Sequence, residues 1–302
     1  ANKPYLLAEI AEVLNIQCRP AKAILDVLES IELVRVKDGY YFLTSLAKDY
    51  LLENSPTYFG GVLEVMMAND RALASVDSLK KAVLTNTPQL YDVEKPFDTH
   101  EEQAELARKF TYAMHGHSMA PALVWPELLD LSGYKVLLDI GGGSGAHAIG
   151  ATLKWSQLRA IVLDMLPVCE VAQEFATRYG LQSRIATHPS NMWKEPFPAA
   201  DIHFYADIYH DWSPEQGRFL TQKSFDSLPS GGRIVIHEML YNDDKTGPFT
   251  VAASNMQMLV TMEGQQYSGR ELSEMLAGAG FIDIGVKPTL GYWSIVTGRK
   301  PD

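Results

Sequence analysis

The sequence predicts an α/β protein: a parallel sheet covered by helices on both faces, preceded by a smaller, mostly helical region. Three observations carry this. Beyond Gly133, short apolar strands alternate with helical stretches. One of those strands, Val136-Leu137-Leu138-Asp139-Ile140, runs directly into a turn holding four glycines between Gly141 and Gly145. Before Thr57 the order of elements is helix, helix, hairpin.

In chain order, Leu6 to Leu14 carries apolar residues at helical spacing. Arg19 to Ile31 does so again through Ile24, Leu25, Leu28 and Ile31, with Pro20 acceptable at a helix start. Leu33 to Val36 and Tyr40 to Leu43 then flank Lys37-Asp38-Gly39, a turn signal between alternating residues. This order reads as a winged helix. Its second helix offers Arg19 and Lys22 but also Asp26 and Glu29, so its charge nearly cancels, and a structural or dimerising module is expected over a DNA reader. Residues 98–131 read as helices joining the two regions, with Asp98 or Thr99 as cap and Glu101 and Glu102 in the first turn. The strands that follow are 135–140, 159–163, 184–187, 201–205 and 233–237, and 281–286 with 293–297 would close the sheet as a hairpin. The expected domains are 1–98 (winged helix), 99–132 (connecting helices) and 133–302 (the sheet).

With 302 residues, 46% of them hydrophobic, the chain can bury the core such a sheet requires. A net charge of -11 argues against nucleic acid or an anionic membrane as the main partner, because phosphate binding needs clustered Lys and Arg. Cys18 and Cys169 lie far apart and suggest no disulfide framework, which fits a reducing, cytoplasmic location. No apolar run is long enough to span a bilayer, and Ala1 opens no signal peptide. The first residues already read as part of a packed element, which points to a longer natural N-terminus.

The glycines of the turn let the backbone bend sharply and approach a ligand, with the N-terminus of the helix from Ala146 facing whatever is bound. Asp139, inside the strand end, is placed to accept from the amino group of a cationic ligand. Asp164 closes the next strand, where an acid reads a ribose diol. A dinucleotide dehydrogenase shares this geometry, but its glycines follow G-x-G-x-x-G; here the spacing is Gly141-x-Gly143-x-Gly145, and an acid before the turn would repel a pyrophosphate.

These residues, with His210-Asp211-Trp212-Ser213 after the fourth strand, resemble the plant-type small-molecule O-methyltransferases and their bacterial relatives, the group that includes caffeic acid and hydroxyindole methyltransferases. The resemblance implies a Rossmann-like sheet of seven strands with the last antiparallel, S-adenosylmethionine as cofactor, and a homodimer whose N-terminal domains interlock. It implies cofactor contacts at Asp139, Gly141, Gly143, Gly145, Asp164, Met165, Asn191, Met192 and Tyr205. The family's Gly-Asp-Met-Phe adenine contact stands here as Ser190-Asn191-Met192-Trp193, and its lysine four residues before the histidine is Ala206. Phe110, Met114, His117, Asp211, Met256 and Met258 match regions that meet the small-molecule acceptor.

Methyl transfer is an in-line displacement that needs a good nucleophile, so a positioned base helps, by roughly 10²–10⁴-fold. His210 follows the strand 201–205 at the sheet edge where ligands of open α/β folds bind, and its ordinary pKa suits the task. Glu238, at the end of the neighbouring strand, matches the family's first carboxylate partner of the base. The second falls on Gln266, with Glu263 nearby as a substitute. His115 and His117, in the connecting helices, are weaker candidates, and His203 and His237 fall within strands as packed residues. The expected activity is O-methylation of an aromatic or enolic secondary metabolite. C- or N-methylation, a non-methylating hydroxylase or decarboxylase, and a winged-helix regulator are the alternatives. A metal-dependent catechol methyltransferase is disfavoured, because no acidic cluster with ligand spacing accompanies the turn.

Overall fold

The computed structural model describes residues 3–64, 75–89 and 101–302. The chain forms two compact units, Ala1–Glu64 and Val65–Asp302.

In the first unit, strand β1 (Tyr5–Leu6) leads into α1 (Leu7–Val13) and α2 (Cys18–Ser30), and β2 (Val34–Lys37) and β3 (Tyr40–Leu43) form the hairpin. Asp38 and Gly39 both have positive φ, 52° and 79°, the two-residue geometry that matches strand twist. The sheet order is β1-β3-β2, and Leu25, Val34 and Tyr41 form a small core with Leu7, Ile10, Leu28 and Leu43. Helix α3 (Ser45–Leu51) follows, capped by Thr44.

The second unit holds α4 (Val76–Thr85) and the long α5 (Glu101–Val124). The expected caps Asp98 and Thr99 lie outside the described residues. Beyond α5 come β4 (Val136–Ile140), α6 (Ala146–Lys154), β5 (Arg159–Asp164), α7 (Leu166–Arg178), β6 (Ile185–Pro189) and β7 (Ile202–Ala206). The chain continues through α8 (Pro214–Ser227), β8 (Arg233–Met239), α9 (Phe249–Thr261), α10 (Gly269–Ala279), β9 (Ile282–Pro288) and β10 (Trp293–Arg299).

These strands make one seven-stranded sheet, ordered β6-β5-β4-β7-β8-β10-β9. Strands β4 to β8 run parallel, and β10 pairs antiparallel with both β8 and β9. Period-two alternation sends Leu137, Val162, Phe204 and Val235 into one core and Leu138, Leu163, Tyr205 and Ile236 into the other, so both faces are covered. The strand order reverses between β4 and β7, which places the ligand crevice beyond their carboxyl ends.

Helices α5 and α6 pack closely at Gly150, where an added Cβ would lie 2.0 Å from the backbone oxygen of Ala122. Gly150→Ala is therefore expected to destabilise the protein by ~3 kcal/mol, since backbone cannot swing aside. Gly278→Ala in α10 meets nothing within 4 Å and serves as the control, neutral or slightly stabilising. Thermal unfolding of the pair checks this; equal melting temperatures would refute the close packing.

Candidate active site

Strand β4 delivers Asp139 and Ile140 to the crevice, and the turn leaves it through Gly141, Gly143 and Gly145 at φ 66°, 55° and 73°. Gly141 N donates to Leu163 O at 2.8 Å, and Gly143 N donates to Asp164 Oδ2 at 2.9 Å, so the end of β5 braces the turn. Asp164 Oδ1 accepts from Met165 N at 2.7 Å, at the cap of α7. Asp139 is buried; its Oδ2 accepts from Ala148 N at 3.2 Å, while Oδ1 has no partner. A Cβ on Gly142 would come within 2.7 Å of Asp139 Cγ, so glycine there is what lets the carboxyl sit beneath the turn. A Cβ on Gly143 meets nothing within 4 Å, and the turn faces open space at that point.

Burial pushes the Asp139 carboxyl up to about 7, against the Ala148 N–H and with the help of Asp164. Burial likewise raises Asp164 to about 6 despite donation from Gly143 and Met165. A buried acid with a partnerless oxygen, Asp139, and a half-buried one, Asp164, flank the glycine cradle, and they fit a ligand that carries a cationic amino group and a ribose. Alongside, Ser190 N donates to Asp164 O and Asn191 Oδ1 accepts from Trp193 N, each at 2.9 Å, which sets Met192 half-buried near the end of β5. Tyr205, expected to meet the cofactor, sits in the opposite core, its ring packed and its hydroxyl 2.6 Å from Ser224 Oγ.

The second half of the site begins where β7 ends. Asp207 takes a left-handed conformation, φ 54°, and swings the chain so that Ile208 N and Tyr209 N both donate to Glu238 Oε1, at 3.0 and 2.8 Å. His210 Nδ1 then stands 2.6 Å from Glu238 Oε2. After His210, the chain is fixed by the capping box of α8: Ser213 Oγ accepts from Gln216 N, and Gln216 Oε1 from Ser213 N. The side chains of His210 and Glu238 are 12% and 1% exposed, so this is a sheltered acid–base pair. Burial opposes charge on His210, but Glu238 and Asp211 outweigh it and hold its pKa well above the ordinary value. Nδ1–H donating to Glu238 leaves Nε2 as the basic nitrogen, with Asp211 Oδ1 3.3 Å from it.

Of the residues expected on the acceptor side, His117 on α5 reaches the surroundings of His210: its Nε2 is 3.6 Å from Asp207 Oδ2, and its ring meets Trp293 edge-on at 5.3 Å. Phe110 and Met256 are exposed, and Met114 and Met258 half-buried, on α5 and α9. Glu263 is exposed and makes no ion pair among the described residues, whereas Gln266 is 2% exposed with both amide atoms unpartnered. Gly264 between them packs on the His210 segment; a Cβ added there would lie 2.1 Å from His210 O. Sequence reasoning missed Asp207 and Trp293, whose indole N–H donates to Asp207 Oδ1 at 3.3 Å. It also missed that His115 bonds Ser144 in the glycine turn, Nδ1 to Oγ at 2.8 Å. Burial, with Arg178 adding to it, lowers His115 to about 3, so it stays neutral. Asp207, His210 and Glu238 each bring a potential metal-ligand atom within 4.8 Å of the others, but the 2.6 Å from Nδ1 to Oε2 is hydrogen-bond length.

A family model described as an O-methyltransferase domain matches residues 76–282. The chain belongs to the O-methyltransferase family. It is an S-adenosylmethionine-dependent methyltransferase. Among its relatives is the 3-hydroxy-5-methyl-1-naphthoate 3-O-methyltransferase of Streptomyces sahachiroi, 33% identical over 277 residues that cover 91% of this chain and 79% of the relative. An N,N-dimethyltransferase of Streptomyces rimosus is 26% identical over 301 residues, covering 98% of this chain and 87% of that one. In fold it is similar to human N-acetylserotonin methyltransferase in complex with S-adenosylmethionine, at a TM-score of 0.82 and 24% identity over 100% of this chain and 89% of the other.

Proposed function

We propose that this methyltransferase methylates a hydroxyl of a small aromatic or enolic secondary metabolite, with His210 as general base and Glu238 as its orienting partner. The observation that carries this is the 2.6 Å bond from His210 Nδ1 to a Glu238 carboxylate that two backbone N–H groups hold in place. S-adenosylmethionine, when bound, supplies a methyl group on a sulfonium, which leaves as a neutral thioether and needs no acid. The protein's own task is then to hold the acceptor in line and remove its proton. Nε2 of His210 takes the hydroxyl proton as the oxygen attacks, and Glu238 balances the imidazolium that results. Asp139, the Gly141–Gly145 cradle, Asp164, Met165, Asn191 and Met192 would hold the cofactor. Phe110, Met114, His117, Asp211, Met256 and Met258 would wall the acceptor.

The reading extends to the N-terminal region, residues 1–98, as a winged-helix dimerisation domain. Helix α2 leaves Ile24 and Val27 exposed, as is Ile31 at its C-cap, which supports a second copy as its partner. Among the described residues no helix is long and apolar enough to cross a membrane.

The chemistry requires no metal. Transfer of labelled methyl from S-adenosylmethionine to a panel of phenols, enols, amines and activated carbons is expected to label hydroxyls at full rate in excess EDTA. Loss of activity restored by magnesium would overturn the metal-free mechanism. Labelling of amines alone would favour N-methylation, the activity named for the Streptomyces rimosus relative.

A further inference from the structure

A buried histidine base is governed by every charge that faces it, and Glu238 accounts for one side of His210. The loop after α9 adds no second carboxylate: Glu263 is exposed, and the buried Gln266 is uncharged. Another acid nevertheless faces the same edge of the ring. Asp207 Oδ1 lies 4.0 Å from His210 Nδ1, approaching from the end of β7. Three elements hold it there: the left-handed backbone at φ 54°, the indole N–H of Trp293 on β10, and His117 of α5 at 3.6 Å from Oδ2.

We propose that Asp207 is a positioning residue of the base: it places a second carboxylate beside Nδ1 of His210 and so governs how tightly the ring holds its proton. The inference rests on the reading of His210 as base. Among the described residues, the charged and titratable groups facing His210 are Glu238 from β8, Asp207 from the end of β7 and Asp211 from its own turn, with His117 of α5 and His237 of β8 reached across Asp207. Burial alone would lift the Asp207 carboxyl, but His117, then His210 and His237, draw it below the usual carboxylate range, so it remains ionised wherever the enzyme works. An anion at this distance favours the protonated imidazole, typically by one pH unit or more. It also links the acceptor-side helix to the base, because the carboxylate that faces Nδ1 of His210 also faces Nε2 of His117.

Asp207→Asn tests the inference, since asparagine tolerates the left-handed backbone and keeps an oxygen for Trp293. In ligand-free protein, NMR titration of the His210 ring is expected to move down by about one pH unit. The acid limb of the kcat/KM profile should fall with it, while affinity for S-adenosylhomocysteine stays unchanged. If the asparagine variant fails to fold, Asp207→Gly adopts the same backbone without a side chain and reads the same titration. An unmoved His210 titration in a folded variant overturns the proposal. Full activity in His210→Ala would instead overturn the base itself, so the two failures are distinguishable.

Discussion

His210→Ala is expected to lower kcat by 10²–10⁴-fold, the range attributed to a positioned general base, while affinity for S-adenosylhomocysteine stays within about two-fold. The separation follows from the architecture. The groups proposed to hold the cofactor lie at the ends of β4 and β5, whereas His210 stands after β7, on the other side of the strand reversal. Glu238→Gln should cost less, about 10–100-fold. Its oxygen still accepts from Ile208 N and Tyr209 N and keeps the ring's approach, but the charge that balances the imidazolium is gone. The double variant should be no slower than His210→Ala, because Glu238 acts only through the ring. In the wild type, burial disfavours the imidazolium, yet Glu238 and Asp211 prevail and keep His210 protonated above its ordinary pKa. The base is active when neutral, so kcat/KM rises with pH through an elevated midpoint, and in Glu238→Gln that midpoint moves down. Steady-state kinetics across pH with a responsive phenol checks all three; a His210→Ala enzyme within two-fold of wild type would reduce the histidine to a structural part.

What was legible in the sequence divides along physical lines. The sheet could be read because each parallel strand is a short apolar run bounded by a turn, and because glycines after Ile140 have few uses other than a sharp bend. His210 and Glu238 could be named because one follows and the other closes a strand of an adjacent parallel pair, and because both match the family's pattern; the 2.6 Å bond between them depends on the turn at Asp207, beyond the strand register. Asp207 could not, because its role depends on a left-handed φ at a non-glycine residue and on Trp293, 86 residues away, turning its N–H inward. The same limit applies to the loop after α9. Glu263 is exposed and Gln266 buried on either side of Gly264, which packs against the His210 backbone, a tertiary contact with no local signature. Tyr205 shows the converse: alternation along β7 assigns its ring to the face opposite Phe204, and Ser224 of α8 claims its hydroxyl.

The second large effect concerns the cofactor side. Affinity for S-adenosylhomocysteine is expected to rise about ten-fold per pH unit up to pH 7 and then level off, and Asp139→Asn should abolish that slope. Burial is the main reason the Asp139 carboxyl is pushed up to about 7, far above the ordinary carboxylate range; Ala148 N–H pulls the other way and Asp164 adds to the rise. Ionised Asp139 thus presents an oxygen with no partner, and the ligand's ammonium group would supply the missing counter-charge. A ligand that selects the ionised form must displace a proton below pH 7, and one proton released per ligand bound gives the ten-fold slope. The sign for stability is opposite. A folded-state pKa above the unfolded value stabilises the protein below pH 4 and withdraws that stability as pH rises through 7, on the order of 4 kcal/mol for Asp139 if nothing relaxes. Asp164, raised to about 6, acts in the same direction. Ligand-free protein should therefore melt lower at pH 8 than at pH 6 as far as these acids contribute, and bound S-adenosylhomocysteine should raise the melting temperature more at pH 8. Calorimetric titration across pH with both proteins decides it: a wild-type affinity flat from pH 5 to 8, or an asparagine variant that keeps the slope, would mean that Asp139 does not meet the ligand's charge.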